Sequence, residues 1–402
     1  MLGIALAGCG STQTSSTVAA TGPPKSCPET VLEALGHVVK RVYREGVSSE
    51  RTATAKNLIA ASSALREAVE GDNAAAARAA AQALLATGHL TNLRVTRGTH
   101  TLADLGAPAL APVHGTLTGA GGTSIASYVT SVWSDSGFLA ESRGIGEGVV
   151  AIRAHEHSVG GSFALPAGKI PAQGTLKLGK VAYQYTSFHA ETYPSGSARV
   201  YLLKPVSSTA GLCGASSEDT LVNTLSRVAK LIYAGEAGGR TVPQIRRVQS
   251  DQPLLRAVAA GDPAATKLAV ESLLNEHIVR LRVLAGGKLL SDVGGPYVLA
   301  PVSAPLRLGG RTIGSFVLSI QDDEGYLRLT RRLAGLDVLM YMDVSPGHPQ
   351  LVKNSLGPSP GTVPDSGSYT YRGRTFRVFT LHAAAFPSGP LLIHVLIPIP
   401  YS

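Results

Sequence analysis

The residues best suited to chemistry gather in the second half of the chain. Ser315 and Ser319 lie four residues apart in a segment of small and apolar side chains, so a strand there turns both hydroxyls to one face. Asp322, Asp323, Tyr326 and Arg328 sit at the end of that strand, and His382 falls on a later one. Hydroxyls, one cation and carboxylates converging on a concave surface suit a small polar ligand. On that reading, Tyr326→Ala or Asp323→Ala abolishes ligand stabilisation and leaves the fold intact. The alternative makes the serines small packing residues and the acidic run a solvated turn. The Asp322, Asp323 and His382 region also leaves a hydrolase open, since general acid–base sites need no local signature.

Other candidates are sparser. His189 and His382 each stand five residues before the proline of a matched hairpin tip, where a lone histidine is otherwise a core or edge residue. His155-Glu156-His157 puts two imidazoles on one side of an extended segment, as a zinc site begins. A catalytic zinc needs three protein ligands and no third is indicated, so no metal is expected. No strand-to-helix Gly-x-Ser-x-Gly elbow, His-Glu-x-x-His helix or phosphate-cradling Gly-x-x-x-x-Gly-Lys-Ser/Thr loop is read. Gly144-Ile145-Gly146-Glu147-Gly148 lacks the spacing of a dinucleotide turn. The expectation is a protein that is not an enzyme and carries no cofactor.

The elements that position these residues are written twice. Val31, Leu35, Val38 and Val42 form an apolar stripe of helical period, and Leu221, Leu225, Val228 and Ile232 repeat it, 221 − 31 = 190 residues later. Tyr43 is matched by Tyr233, and Thr30 with Glu33 has the spacing of a capping box. Leu65-Arg66 and Gly71-Asp72 recur as Leu255-Arg256 and Gly261-Asp262, so a second helix ends there and an Ala-rich third follows. The period then changes to two. His277, Val279, Leu281 and Val283 read as a strand, matched by His89, Leu93 and Val95.

Ile125, Ser127, Val129 and Ser131 share a strand face that Ile313, Ser315, Val317 and Ser319 repeat, each strand running into an acidic turn and a short helix. Tyr193-Pro194-Ser195-Gly196 and Phe386-Pro387-Ser388-Gly389 suit type I turns at hairpin tips, with Leu391 to Ile397 a central strand. Gly/Pro-rich stretches from about 158 to 174 and 345 to 367 are long enough to be mobile or functional.

The composition is that of a globular chain of 402 residues, 44% hydrophobic and 16% charged, able to bury two cores. Its formal charge is +9, but the basic residues are scattered and aromatics are only 5%, which argues against nucleic acid and for anionic ligands or an anionic membrane face. No stretch approaches 18 uninterrupted apolar residues, so no transmembrane helix is expected.

Leu6-Ala7-Gly8-Cys9 resembles the lipobox of bacterial lipoproteins, in which a signal peptide is removed and the cysteine is lipidated. Only eight residues precede Cys9, fewer than a basic segment plus an apolar segment require, so either translation starts upstream or the match is chance. The resemblance implies residues 1–9 as signal remnant, 10–26 as a flexible tether, and an extracytoplasmic protein anchored to the bacterial cell membrane. Export would permit a disulfide between Cys27 and Cys213; two unpaired thiols are the alternative.

The element order, with Tyr297-Val298-Leu299-Ala300-Pro301-Val302 and Gly314-Ser315-Phe316-Val317-Leu318-Ser319-Ile320-Gln321-Asp322-Asp323, resembles the Cache (PAS-like) extracellular sensor domains. The resemblance implies an α+β fold of two tandem units, each with N-terminal helices and a roughly five-stranded antiparallel sheet. The units would span 27–205 and 213–402, joined by a linker at 206–212. It adds Tyr297 to the ligand set and implies an extracellular sensor for a small anionic or zwitterionic metabolite, bound chiefly by the second unit. With no effector segment of its own, such a protein presents its ligand to a membrane sensor or transporter. The alternative is a structural or interaction lipoprotein without a ligand.

Overall fold

Ser26 and Glu29 start the first helix: the Ser26 N–H donates to the Glu29 carboxylate at 2.8 Å, and Pro28 occupies the first turn. The capping box therefore lies one turn earlier than Thr30 and Glu33, whose spacing is the same. The computed structural model describes residues 25–155, 157–161, 164–237, 241–274, 277–343, 349–387 and 389–401. Cys9 and the tether up to residue 24 lie outside the described residues.

In the first unit α1 (Cys27–Ser48) leads into α2 (Glu50–Ala61), α3 (Ser63–Glu70) and α4 (Ala74–Ala86). Strands β1 (Asn92–Arg97), β2 (His100–Gly106), β3 (Ala109–Leu110), β4 (Val113–Thr118), β5 (Ser124–Ser131) and β6 (Trp133–Ser134) follow. Then come α5 (Asp135–Gly146), β7 (Val149–Ala154), β8 (His157–Gly161), β9 (Gln173–Leu178), β10 (Val181–Tyr193) and β11 (Gly196–Pro205).

The second unit repeats the order with α6 (Ser217–Ala237), α7 (Thr241–Ser250), α8 (Gln252–Ala260) and α9 (Pro263–Leu273). Its strands begin with β12 (Arg280–Ala285), β13 (Lys288–Gly294), β14 (Tyr297–Leu299), β15 (Val302–Leu308), β16 (Arg311–Ser319) and β17 (Gln321–Asp322). Next, α10 (Asp323–Leu329) runs into a π-helical turn, Thr330–Ala334. The chain closes with β18 (Asp337–Asp343), β19 (Pro349–Asn354), β20 (Gly367–Tyr371), β21 (Arg374–Pro387) and β22 (Gly389–Ile399).

The fold is α+β in two similar units. Among the described residues each unit holds two antiparallel sheets where about five strands in one were expected. The small sheets run β2-β1-β5-β4 and β13-β12-β16-β15. The large ones run β6-β3-β10-β11-β7-β8, with β9 also on β10, and β17-β14-β21-β22-β18-β19, with β20 also on β21. Prolines explain the division. Pro108 and Pro112 bracket β3 as Pro296 and Pro301 bracket β14, and proline donates nothing to a ladder. The chain leaves the small sheet, pairs briefly with β10 or β21, and returns. The duplication extends to irregularities: the bulge between Ile152 and Arg153 recurs between Met340 and Tyr341.

Each small sheet packs on its own helices, through Ile59, Leu65 and Leu93 in the first unit and Leu254, Leu281 and Phe316 in the second. The central core belongs to both units. Val38 and Val42 of α1, Leu225 and Ile232 of α6, Leu202 of β11 and Ile393 of β22 form one buried cluster, so the helices lie as a layer between the two large sheets. A disulfide joins Cys27 and Cys213 where α1 and α6 begin. Two ion pairs, each with its arginine in the second unit and its glutamate in the first, tie the units together: Arg227 to Glu147 at 2.6 Å, and Arg332 to Glu45. No described helix is long and apolar enough to cross a membrane.

Candidate functional site

The residues expected to converge in the second unit are only partly brought together: Tyr297, Ser319, Asp322, Asp323 and Tyr326 lie on adjoining β14, β16, β17 and α10, while Ser315 and His382 stand in different sheets. Ser315 is exposed on β16 in the small sheet, whereas His382 is exposed on β21 in the large one. The Ser319 hydroxyl is buried and donates to the Leu299 carbonyl. Asp322 caps α10, accepting from the Gly325 N–H at 2.6 Å. Tyr326 is fully buried; its hydroxyl donates to the Ala229 carbonyl at 3.2 Å and its ring meets Tyr233 edge-on. Arg328 is exposed. Tyr297 pairs through its backbone with Pro387. The convergent site is therefore corrected: Ser319, Asp322 and Tyr326 are committed to the fold, and Tyr326→Ala would empty part of the core.

Asp323 is the exception in kind. It is buried, with Lys353 Nζ 3.8 Å away, and burial holds its carboxyl above the ordinary range. Its counterpart Asp135 has no such cation. Gly160 pairs with Ile152 where Lys353 pairs with Met340, so glycine stands in the lysine's place. Burial pushes the Asp135 carboxyl up to about 6, and its Oδ1 finds no hydrogen-bond partner among the described residues.

A concave surface lies in the first unit. A groove of about 750 Å³ opens between α1 and the β9–β10 hairpin. Leu32, Gly36, His37 and Lys40 line it from the helix, at spacings of three and four that place them on one face. Gln184, Thr186 and Phe188 line it from β10, the alternate residues turned toward α1, while Tyr185 packs among Leu165, Tyr201 and Leu203 in a separate cluster. Gly36 permits the approach of helix to strand: a Cβ there would stand 2.8 Å from Thr186 Cγ2.

The charges are ordered along the helix. Glu29 and Glu33 stand at its beginning, with Lys25 bound to Glu33 at 2.5 Å. His37 and Lys40 stand farther along. Partial burial holds His37 below its ordinary value, so it is neutral at neutral pH, and its ring meets Tyr401 edge-on. Lys40 has no ion-pair or hydrogen-bond partner among the described residues.

The second unit carries larger side chains at the same place. Gln184 and Arg377 each stand ten residues before the proline of their hairpin tip. The Arg377 guanidinium reaches α6, 3.2 Å from Glu218 and 3.6 Å from Asp219. Phe379 stands where the first unit has Thr186, and packs on the central core. The groove was legible in part: Gly36 stands inside a helical segment at a cost of about 1 kcal/mol relative to alanine, and Gln184 departs from Arg377 between otherwise matched strands.

Two sequence features resolve differently. The spacing Gly-x-Ser-x-Gly does occur, as Gly357-Pro358-Ser359-Pro360-Gly361, but no helix follows it. It lies between β19 and β20, where Tyr371 and Tyr369 donate to the Pro358 and Pro360 carbonyls. His155 bonds the Ser195 carbonyl at 2.9 Å, and no group of three or more metal-ligating side chains occurs among the described residues.

No family model matches the chain, and no curated protein matches it. Among solved structures it is similar to an extracellular ligand binding receptor from Desulfohalobium retbaense DSM5692, at 10% identity and a TM-score of 0.20. The match covers 57% of this chain and 47% of that one, so it spans less than half of the receptor's length.

Proposed function

We propose that the chain is an extracytoplasmic binding protein that takes a small anionic or zwitterionic metabolite in the groove of its first unit. The observation that carries the reading is the asymmetry between two copies of one fold. Arg377 and Phe379 fill the site in the second unit, while Gln184 and Thr186 leave it open in the first. Lys40 supplies a cation for a carboxylate, neutral His37 a hydrogen bond, and Leu32 with Phe188 an apolar floor.

The disulfide supports an oxidising compartment. We place the chain in the lineage of Cache-like sensors, anchored through a lipid on Cys9, acting on a membrane sensor or transporter and catalysing nothing itself. A second reading, an interaction lipoprotein, is favoured by Leu268 and Leu289, which are 69% and 51% exposed where the first unit has Arg78 and Thr101.

The test is a thermal-shift screen of the Cys9→Ser chain against organic acids, amino acids, purines and polyamines at millimolar concentration. A ligand at about 100 times its Kd adds roughly 2.7 kcal/mol, a shift of several degrees. An anionic or zwitterionic hit that Lys40→Ala weakens at least tenfold is expected. A hit indifferent to Lys40→Ala would put the binding site outside this groove, and silence throughout would favour the interaction reading.

A further inference from the structure

The groove has two charged ends with an uncharged middle. From Glu33 to Lys40 is seven residues of helix, or about 10 Å at 1.5 Å per residue. The charges of a free α-amino acid are separated by a single carbon and cannot reach both ends. An extended chain advances roughly 3.3 Å per residue, so about three residues span the interval.

We propose that the groove takes a short linear peptide of about three residues, its amino terminus at Glu29 and Glu33 and its carboxylate at Lys40. This deepens the binding reading and rests on the groove being the ligand site. The acidic end has capacity to spare. Ser26 and Lys25 both bond to Oε2 atoms, of Glu29 and Glu33 respectively, leaving each Oε1 to an incoming ammonium.

The second unit shows what belongs there. Its α6 begins with Glu218 and Asp219, and the cation they hold is the Arg377 side chain, at the position where the first unit has Gln184. In the second unit that cation comes from the strand facing the helix; in the first the facing strand supplies none, and Lys25 covers only Glu33 Oε2. Between the charged ends, Gln173, Thr175, Gln184 and Thr186 present amide and hydroxyl groups. Such groups both donate and accept, as peptide N–H and C=O groups require, without demanding a particular sequence. Gly36 lies midway between the charged ends, where a larger residue would crowd Thr186.

The experiment is isothermal titration of the full chain with alanine, dialanine, trialanine and pentaalanine, and with trialanine acetylated at its amino terminus or amidated at its carboxyl terminus. Trialanine should bind at least tenfold more tightly than alanine, and each cap should cost at least tenfold. Gln184→Arg, which imports the second unit's plug, and Lys40→Ala should each weaken trialanine at least tenfold, with the circular dichroism of both unliganded variants unchanged. If alanine or another single amino acid binds as tightly as trialanine and Lys40→Ala weakens it, the peptide inference falls while the groove stands. If trialanine binds and neither variant weakens it, the groove itself is wrong. Failure of every peptide to bind, beside a response to another metabolite, also overturns the inference.

Discussion

Asp135 and Asp323 show how one substitution changes the chemistry of a duplicated position. Both carboxyls are partly or largely withdrawn from water at the start of matched helices, and only Asp323 has a lysine opposite. Burial pushes Asp135 up to about 6, against about 3.9 in an unfolded chain. A raised carboxyl contributes stability that is fully present below its unfolded pKa and is lost as pH rises through the folded value. At pH 8 the ionised Asp135 therefore opposes folding. Asp135→Asn should exceed the parent in stability at pH 8 by up to about 2 kcal/mol and match it near pH 4, read from urea midpoints. A parent more stable than the variant at pH 8 would contradict this. The acidic turns were legible as a repeated pattern. Their roles were not, because capping by Asp322 and burial of Asp323 depend on which way a turn faces.

At the scale of elements, the matched tyrosines of the two first helices seal open sheet edges. Among the described residues the edge of β10 between β9 and β3 has no strand beside it, and Tyr43 accepts from the Glu191 N–H at 2.9 Å. Between β20 and β14, Tyr233 accepts from the Ala300 N–H at 3.2 Å and donates to the Ala384 carbonyl at 3.4 Å. Tyr233→Phe should therefore lower stability by about 1 kcal/mol, chiefly the cost of leaving the part-buried Ala300 N–H unpaired, since the Ala384 carbonyl is exposed to water. A denaturation midpoint unchanged from the parent would show that water replaces the hydroxyl.

The sequence marked these tyrosines as equivalent without saying what they touch, since their partners are 148 and 151 residues away. Periodicity also located the first helices and two strands of each small sheet, β1 and β5 or β12 and β16, while the Pro and Gly positions located both hairpin tips. It missed the break between α2 and α3, where the Ser62 side chain accepts from the Leu65 N–H and starts a new helix inside a continuous helical pattern.

For the whole molecule, the decisive feature is that two units share one core. Composition suggested two, but α1 and α6 pack on each other and on both large sheets. The disulfide adds a constraint between residues 186 apart in sequence, worth about 5 kcal/mol when treated as chain entropy alone. Held this way, the two grooves were able to diverge on a common frame. One was closed by Arg377, and the other stayed open beside Lys40. Sequence reasoning looked for the site where polar residues were densest, in the second unit, and those residues proved to be caps, core and scattered surface.

The most direct test of the groove is a hydrogen-exchange footprint of the full chain with and without the tightest ligand found in the screen. Protection should concentrate in residues 32–40 and 173–188, with little change in 218–230 and 367–381 of the second unit. Protection centred on 315–328 and 382, with the α1 groove unaffected, would contradict the account and return the site to the second unit.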